Sequence, residues 1–371
     1  MLSKQIMQRM EKLAKPEFAE DWDNCGLQLG SNNMEVKKIL LALDMSKKVC
    51  QRAVDEKYDM VITHHPFFFS GSKKIVLDGY RGEIIRDLIK NDIVLYSAHT
   101  NLDIADGGVN DVICGMLGIE NVKPLVPSEE RKLAKIAVYA PVEDEYAEDI
   151  RRAVGEMGYG TIGNYSNCSF SAPGHGRFKP EEGSDAFLGE IGEVEVVDEE
   201  KIEFLVYEDE ISDAVRTVKR AHPYEEVAYD IYPILNRGEI FGHGRIGSLR
   251  EGIQLGELAK RVKDELGCSS GGSVRVYGHL DKKVKRAAVC GGSGSSFIRD
   301  AKRAGADVYI TGDLKHHDAQ IGRELGICLI DAGHYHTEVH VLNALKQYLE
   351  NECEDVEIDI MKDNISKYSL I

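Results

Sequence analysis

The chain has 371 residues, 43% hydrophobic and 29% charged, with only nine prolines, which is enough apolar material for two or three packed domains and excludes a fibrous or disordered protein. Its 46 Lys and Arg against 63 Asp and Glu leave a formal charge of −17, so polyanions are repelled over most of the surface and non-specific nucleic-acid binding is disfavoured. The longest apolar runs, such as Ile39 to Leu43, span about five residues where a membrane helix needs ~20, so no membrane partner is expected.

The N-terminal segment lacks the apolar core of a signal peptide and predicts an amphipathic helix with Leu2, Ile6, Met10 and Leu13 on one face. The eight cysteines are scattered with no CxxC pair, which reads as reduced thiols in a cytoplasmic protein. Up to about residue 128, strand-like runs (Lys38 to Asp44, Asp59 to Thr63, Ile93 to Ala98) alternate with helical stretches (Lys47 to Lys57, Tyr80 to Asn91). This rhythm is α/β.

Between 131 and 240 the pattern predicts a strand (Lys135 to Ala140), a helix (Asp144 to Met157) and strands near Gly163 to Ser171, Phe187 to Val197 and Ile202 to Val206. A helix (Ile211 to Arg220) and a strand (Val227 to Tyr232) complete it. That is β-α-β-β-α-β with an extra strand, the ferredoxin-like (α+β) arrangement, with the Gly-, Ser- and Pro-rich stretch Ser169 to Lys179 as a long hairpin loop. From 241 the α/β rhythm returns, with strands expected at Arg286 to Gly291, Asp307 to Thr311 and Ile327 to Ala332.

The two ends of the chain share more than rhythm. Asp59-Met-Val-Ile-Thr63 matches Asp307-Val-Tyr-Ile-Thr311, and Ile93-Val-Leu-Tyr-Ser-Ala98 matches Ile327-Cys-Leu-Ile-Asp-Ala332. The expected architecture is therefore α/β, with two pseudo-repeated halves (1–128 and 241–371) forming one discontinuous domain into which a ferredoxin-like domain (131–240) is inserted.

His64 and His65 directly follow an expected strand, at the carboxyl end where open α/β sheets place their sites. Ahead of Pro66 the backbone can turn both imidazoles toward one cleft; the alternative is one buried His on a backbone carbonyl beside an exposed one. Asp103, five residues past the next strand, supplies a carboxylate at the same edge, or else caps the helix expected near Val109. His99 in that loop is either a ligand or a group orienting Asp103.

The matching strand of the second half runs into Asp331-Ala-Gly-His-Tyr-His-Thr-Glu338, where His334 and Glu338 stack at i and i+4 on one helical face. His336 would point elsewhere and His340 would lie on the surface. Five nitrogen and oxygen ligands at equivalent places of a repeated fold suit a two-metal site with a bridging carboxylate. Asp313, His316 and His317, in the place where the other half carries His64 and His65, either line the same cleft or are polar helix-start residues, with Asp313 as a possible cap.

Trp22-Asp-Asn-Cys-Gly-Leu-Gln28, Thr63-His-His-Pro66, Ala98-His-Thr-Asn-Leu-Asp103, Thr311-Gly-Asp313 and Gly333-His-x-x-Thr-Glu338 together resemble the Nif-three-like dinuclear metal centre family, often labelled GTP cyclohydrolase type-two homologues. The middle segment, with Gly174-His-Gly-Arg-Phe178 and His222-Pro-Tyr-Glu-Glu226, is similar to the CutA- and PII-like insert of the longer bacterial members. The resemblance implies that His64, His65, Asp103, His334 and Glu338 bind two divalent ions per subunit, with Glu338 as the bridge. It also implies a toroidal homohexamer, a trimer of dimers, with the inserts capping its openings.

His and carboxylate ligands together accept zinc or iron first, and also manganese, cobalt or nickel. The zinc-dependent GTP cyclohydrolase would call for cysteine ligands, and no cysteine accompanies these motifs, so the shared label does not carry its chemistry across. The expected function is a metal-dependent hydrolase acting on a small anionic, nucleotide-like or phosphorylated molecule. The alternative is a metal-binding regulatory or chaperone-like scaffold without catalysis of its own. Trp22 and Asp23 are expected to be structural or cleft-lining.

Overall fold

Three short, uninterrupted apolar runs in the first third of the chain pair in parallel, as strands covered on both faces do. The computed structural model describes residues 1–71, 73–142, 145–268, 273–365 and 367. The first 130 residues form α1 (Ser3–Leu13), β1 (Gly26–Leu29), β2 (Lys38–Ala42), α2 (Lys47–Asp55), β3 (Met60–Thr63), α3 (Tyr80–Lys90), β4 (Val94–Ser97), α4 (Thr100–Ile104), α5 (Val109–Leu117) and β5 (Ile119–Glu130). Next come β6 (Leu133–Pro141), α6 (Tyr146–Glu156), β7 (Ser169–Phe178), β8 (Glu195–Tyr207), α7 (Ile211–Ala221) and β9 (Tyr229–Pro233). The last third forms β10 (Ile240–Gln254), α8 (Leu255–Glu265), β11 (Arg275–Tyr277), β12 (Lys283–Val289), α9 (Ile298–Arg303) and β13 (Val308–Thr311). It ends with α10 (His316–Leu325), β14 (Cys328–Asp331), α11 (His334–Glu338), α12 (Val341–Glu352) and β15 (Glu357–Ile360). The protein is a mixed α/β structure. No helix among the described residues is long and apolar enough to cross a membrane.

The chain divides into two compact units, Met1–Glu129 with Phe241–Ile371, and Glu130–Ile240. The first unit holds a five-stranded sheet, β1-β4-β3-β2-β15, and a six-stranded sheet, β11-β14-β13-β12-β10-β5. In one, β2, β3, β4 and β15 run parallel and β1 antiparallel. In the other, β12, β13 and β14 run parallel between antiparallel β11 and β10.

Side chains alternate across each strand, so Ile39 and Leu41 face one way and Leu40 and Ala42 the other. The first set joins Ile62 and Tyr96 with Val289, Ile310 and Ile330 of the second sheet in one continuous core around α1, α5 and α12. The opposite faces are covered by α2 and α3 on one sheet and by α9 and α10 on the other. Parallel strands place all their carboxyl ends at one edge, and in both sheets that edge carries the polar residues of interest.

Arg245 of β10 is among the largest fully buried side chains. Its guanidinium forks onto Asp111 of α5 at 2.8 and 2.9 Å and reaches Asp106 and the carbonyls of Ile104, Ala105, Gly242 and Gly244. It thereby pins the turn between α4 and α5, directly after Asp103.

In the second unit the elements run β6-α6-β7-β8-α7-β9 and the sheet order is β7-β8-β6-β9, with all neighbours antiparallel. Ile136, Val138, Ile150, Phe204 and Val218 pack as its core. Three expectations are corrected here. Ser169 to Lys179 is not a hairpin loop, because Ser169–Phe178 is the edge strand β7, where Pro173 and two glycines are tolerated since one side of the strand has no ladder to complete. Of the strand expected at Phe187 to Val197 only Glu195 to Val197 is extended in a ladder, and it runs on through the charged stretch Asp198 to Lys201 into the strand expected at Ile202 to Val206 as one strand, β8, so there is no extra strand among the described residues. The strand expected from Gly163 begins only at Ser169. The expected helix start, Asp144, lies outside the described residues.

Candidate metal centre

β3 ends at Thr63, and His64 N and His65 N still bond the carbonyls of Ala42 and Leu43. The Thr63 and Ser97 hydroxyls, 2.8 Å apart, both donate to the carbonyl of His65, turning the chain so that the two imidazoles enter one cleft. Asp103 comes from α4, after β4. The left-handed Gly333 (φ +82°) ends the link from β14 and starts α11, a helix of five residues whose one face carries His334 and Glu338.

These residues meet in two groups. His64 Nε2 lies 3.7 Å from Asp103 Oδ1 and 3.8 Å from Glu338 Oε1. His65 Nε2 and His334 Nε2 lie 3.1 and 3.2 Å from Glu338 Oε2 and 3.3 Å from each other. The two oxygens of Glu338 thus face different donor sets.

The outer nitrogens fix the tautomers. Nδ1 of His64 bonds the carbonyl of Ala98 at 2.8 Å, Nδ1 of His65 bonds Asp44 at 2.9 Å, and Nδ1 of His334 bonds Asp313 at 2.8 Å. Each acceptor requires a proton on Nδ1, so in a neutral ring the inward Nε2 is a lone pair. Three lone pairs and two carboxylates then converge with no donor among them. With the rings neutral, His64 Nε2, Asp103 Oδ1 and Glu338 Oε2 are buried without a hydrogen-bond partner, a costly arrangement that a bound cation relieves. Both His65, His334 and Glu338, and His64, His65 and His99, are spaced to hold a metal ion.

Protons supply positive charge in the absence of an ion. Burial alone would lower the His65 imidazole, but hydrogen bonds to Asp44 and Glu338 outweigh it and hold it up to about 10. His334 is likewise held up to about 9 by Glu338 and Asp313 against the effect of burial. Burial pushes the Asp103 carboxyl well up, with the Glu338 charge adding to it. For Glu338 burial acts in the same direction, but the three surrounding imidazoles outweigh it and hold the carboxylate well below its usual range.

The loop after β12 closes over Glu338. Gly292 takes a left-handed conformation (φ +61°) with its N–H on Thr337, and a Cβ there would stand 2.2 Å from Glu338 Oε1. Gly292→Ala should leave the fold intact and weaken ion binding by roughly 10- to 100-fold, measured by competition with a chromophoric chelator; unchanged affinity would show that this approach does not shape the centre.

Several expectations need revision. His99 does not orient Asp103 through its ring; its Nδ1 bonds the buried Asp23 at 2.9 Å, and its ring lies 5.2 and 5.5 Å from those of His64 and His65. Asp103 does not cap α5, whose cap position is Gly108. Asp313 is not a helix cap either, since Lys315 precedes α10; instead it holds His334. His317 is exposed, with Gln320 beside it, and His316 lines a separate cavity with His279, Lys282 and Arg323, because both sit in the first turn of α10, beyond the residues that face the centre. His340 is half-buried, bonded to the carbonyl of Leu266. Asp23, expected to be structural or cleft-lining, holds His99, and Asp44, which carries no motif of its own in the sequence, holds His65; the one signal for Asp44 is its place just past the end of β2.

Beside His65 and His334 opens a cavity of about 700 Å³, whose wall includes Arg275, paired with Asp331, and Tyr335. A profile of the family described as Duf34/NIF3 (NGG1p interacting factor 3) matches residues 1–367. The chain belongs to this family. A Bacillus subtilis relative described as a GTP cyclohydrolase 1 type 2 homolog is 40% identical over 351 residues, covering 95% of this chain and 92% of the relative. The structure of a Bacillus cereus protein related to NIF3 superposes with a TM-score of 0.90 at 38% identity, covering 100% of this chain and 99% of that one. A Staphylococcus aureus protein superposes with a TM-score of 0.74 at 30% identity over the same shares.

Proposed function

We propose that this DUF34/NIF3 protein is a dinuclear divalent-metal hydrolase acting on a small nucleotide-like or phosphorylated substrate. The observation that carries the reading is the division of Glu338 between two donor sets, with His64 and Asp103 on one side and His65 and His334 on the other. Zinc or iron suits these donors best, with manganese, cobalt or nickel also accepted. When bound, such a pair of cations supplies the charge that polarises a scissile bond and acidifies water.

The chain's own residues do the rest. Asp44, Asp313 and the Ala98 carbonyl keep the three imidazoles in the ligating tautomer. The cavity beside His65 and His334 is of ligand size, with Tyr335 and the ion pair Arg275–Asp331 on its wall. His99 and Asp313 stand close enough to support the chemistry by positioning, whereas His317 is exposed beside Gln320.

The test is turnover of guanosine triphosphate and simple phosphate esters by metal-reconstituted protein, beside chelator-treated protein and Asp103→Asn. Turnover lost in both controls with unchanged circular dichroism supports hydrolysis; turnover that survives chelation contradicts it. The same reading takes the two similarly ordered sheets as pseudo-repeated halves and the 130–240 unit as a ferredoxin-like insert, in a cytoplasmic homohexamer. Support comes from the matching parallel triplets β4-β3-β2 and β14-β13-β12 and from the β-α-β-β-α-β order of the second unit.

A further inference from the structure

We infer that Trp22 and Phe69 form a stacking platform against His99, beside the metal centre, selecting ligands that carry a planar heteroaromatic ring such as a nucleobase. The two side chains are 57% and 54% exposed, yet they lie together, with ring centroids 5.7 Å apart and tilted by 32°. Each also meets the His99 ring edge-on, at 6.2 and 6.1 Å. His99 in turn stands 5.2 and 5.5 Å from the rings of His64 and His65. A single imidazole therefore separates the aromatic surface from the ligand set.

The platform is built rather than incidental. Asp23 accepts bonds from His99 and from the amide and hydroxyl of Thr100, which fixes the residue next to Trp22. Asn24 donates to the carbonyl of Phe68, and the Phe68 amide donates to Gln28, stapling the two loops together and preceding Phe69 directly. The run Trp22 to Gln28 thus spends its polar side chains on holding two aromatic residues in water, where burial under a planar ring is the favourable outcome. Base stacking of this kind tolerates any base and changes affinity by roughly 5- to 100-fold when the aromatic residue is removed.

This inference rests on reading the centre as one that takes a small anionic ligand. Trp22 is the one tryptophan of the chain, so the emission of full-length, zinc-reconstituted protein reports on the platform alone. Guanosine monophosphate is expected to quench that emission saturably and to bind roughly 5- to 100-fold more tightly than ribose 5-phosphate. Phe69→Ala should remove most of that advantage while leaving ribose 5-phosphate affinity unchanged.

Equal affinity of the two ligands would overturn the platform and leave the metal-centre reading standing. Failure of both to bind would overturn the reading and the platform together. A fall in assembly mass of Phe69→Ala would show that a second copy of the chain covers these rings, which also overturns the proposal.

Discussion

Replacing Arg245 with methionine should lower the stability of the unit that holds the centre by about 3 to 5 kcal/mol, because breaking a buried ion pair from one side leaves the other charge uncompensated. Arg245 is 1% exposed and forks onto Asp111 while satisfying four backbone carbonyls. Methionine fills much of the volume but none of the polar demand. In scanning calorimetry the transition should move down by roughly 6 to 20 °C. Arg245→Lys should rescue little, since an ammonium cannot reproduce the planar fork. A shift under about 2 °C would mean that water replaces the guanidinium at low cost.

The second large effect is expected at Glu338. Removing its carboxylate in Glu338→Ala takes one oxygen from each donor set, so ions should be lost from both, with affinity falling by at least ~100-fold and metal content dropping from about two per chain to well below one. Asp103→Ala touches only the set containing His64, and should retain the ion between His65 and His334. The contrast between the variants is the informative outcome. Equal losses in both would mean that the two sets fill only together, whereas loss of a single ion in Glu338→Ala would show that its carboxylate does not bridge.

Much of this centre was legible because parallel strands leave a strong mark. Short apolar runs ending in His64-His65, and strand ends followed within a few residues by Asp103 or by His334 and Glu338, locate a sheet edge and its His and carboxylate cluster together. The partners of those ligands were not legible in the same way. Asp44 and Asp313 act on His65 and His334 across the sequence, and nothing local to an aspartate at a strand end says which ring it holds.

Arg245 looks like a surface residue in a polar stretch, and only the pairing of β10 with β12 shows that it is enclosed. β7 is hidden in the sequence for the opposite reason. Its glycines and Pro173 are loop formers in isolation, but an edge strand has no second ladder for them to break.

Whether a pair of cations takes the place of protons at this centre is read by calorimetric titration of chelator-stripped protein with zinc in two buffers of different ionisation heat. At pH 7, below the values of about 10 and 9 to which His65 and His334 are raised, the metal-free rings carry protons that ligation must displace. About two tight sites per chain and release of between roughly one and two protons are expected, with affinity falling as the pH is lowered and proton release fading above about pH 10. A single tight site, or binding with the same heat in both buffers, would contradict this exchange of protons for cations.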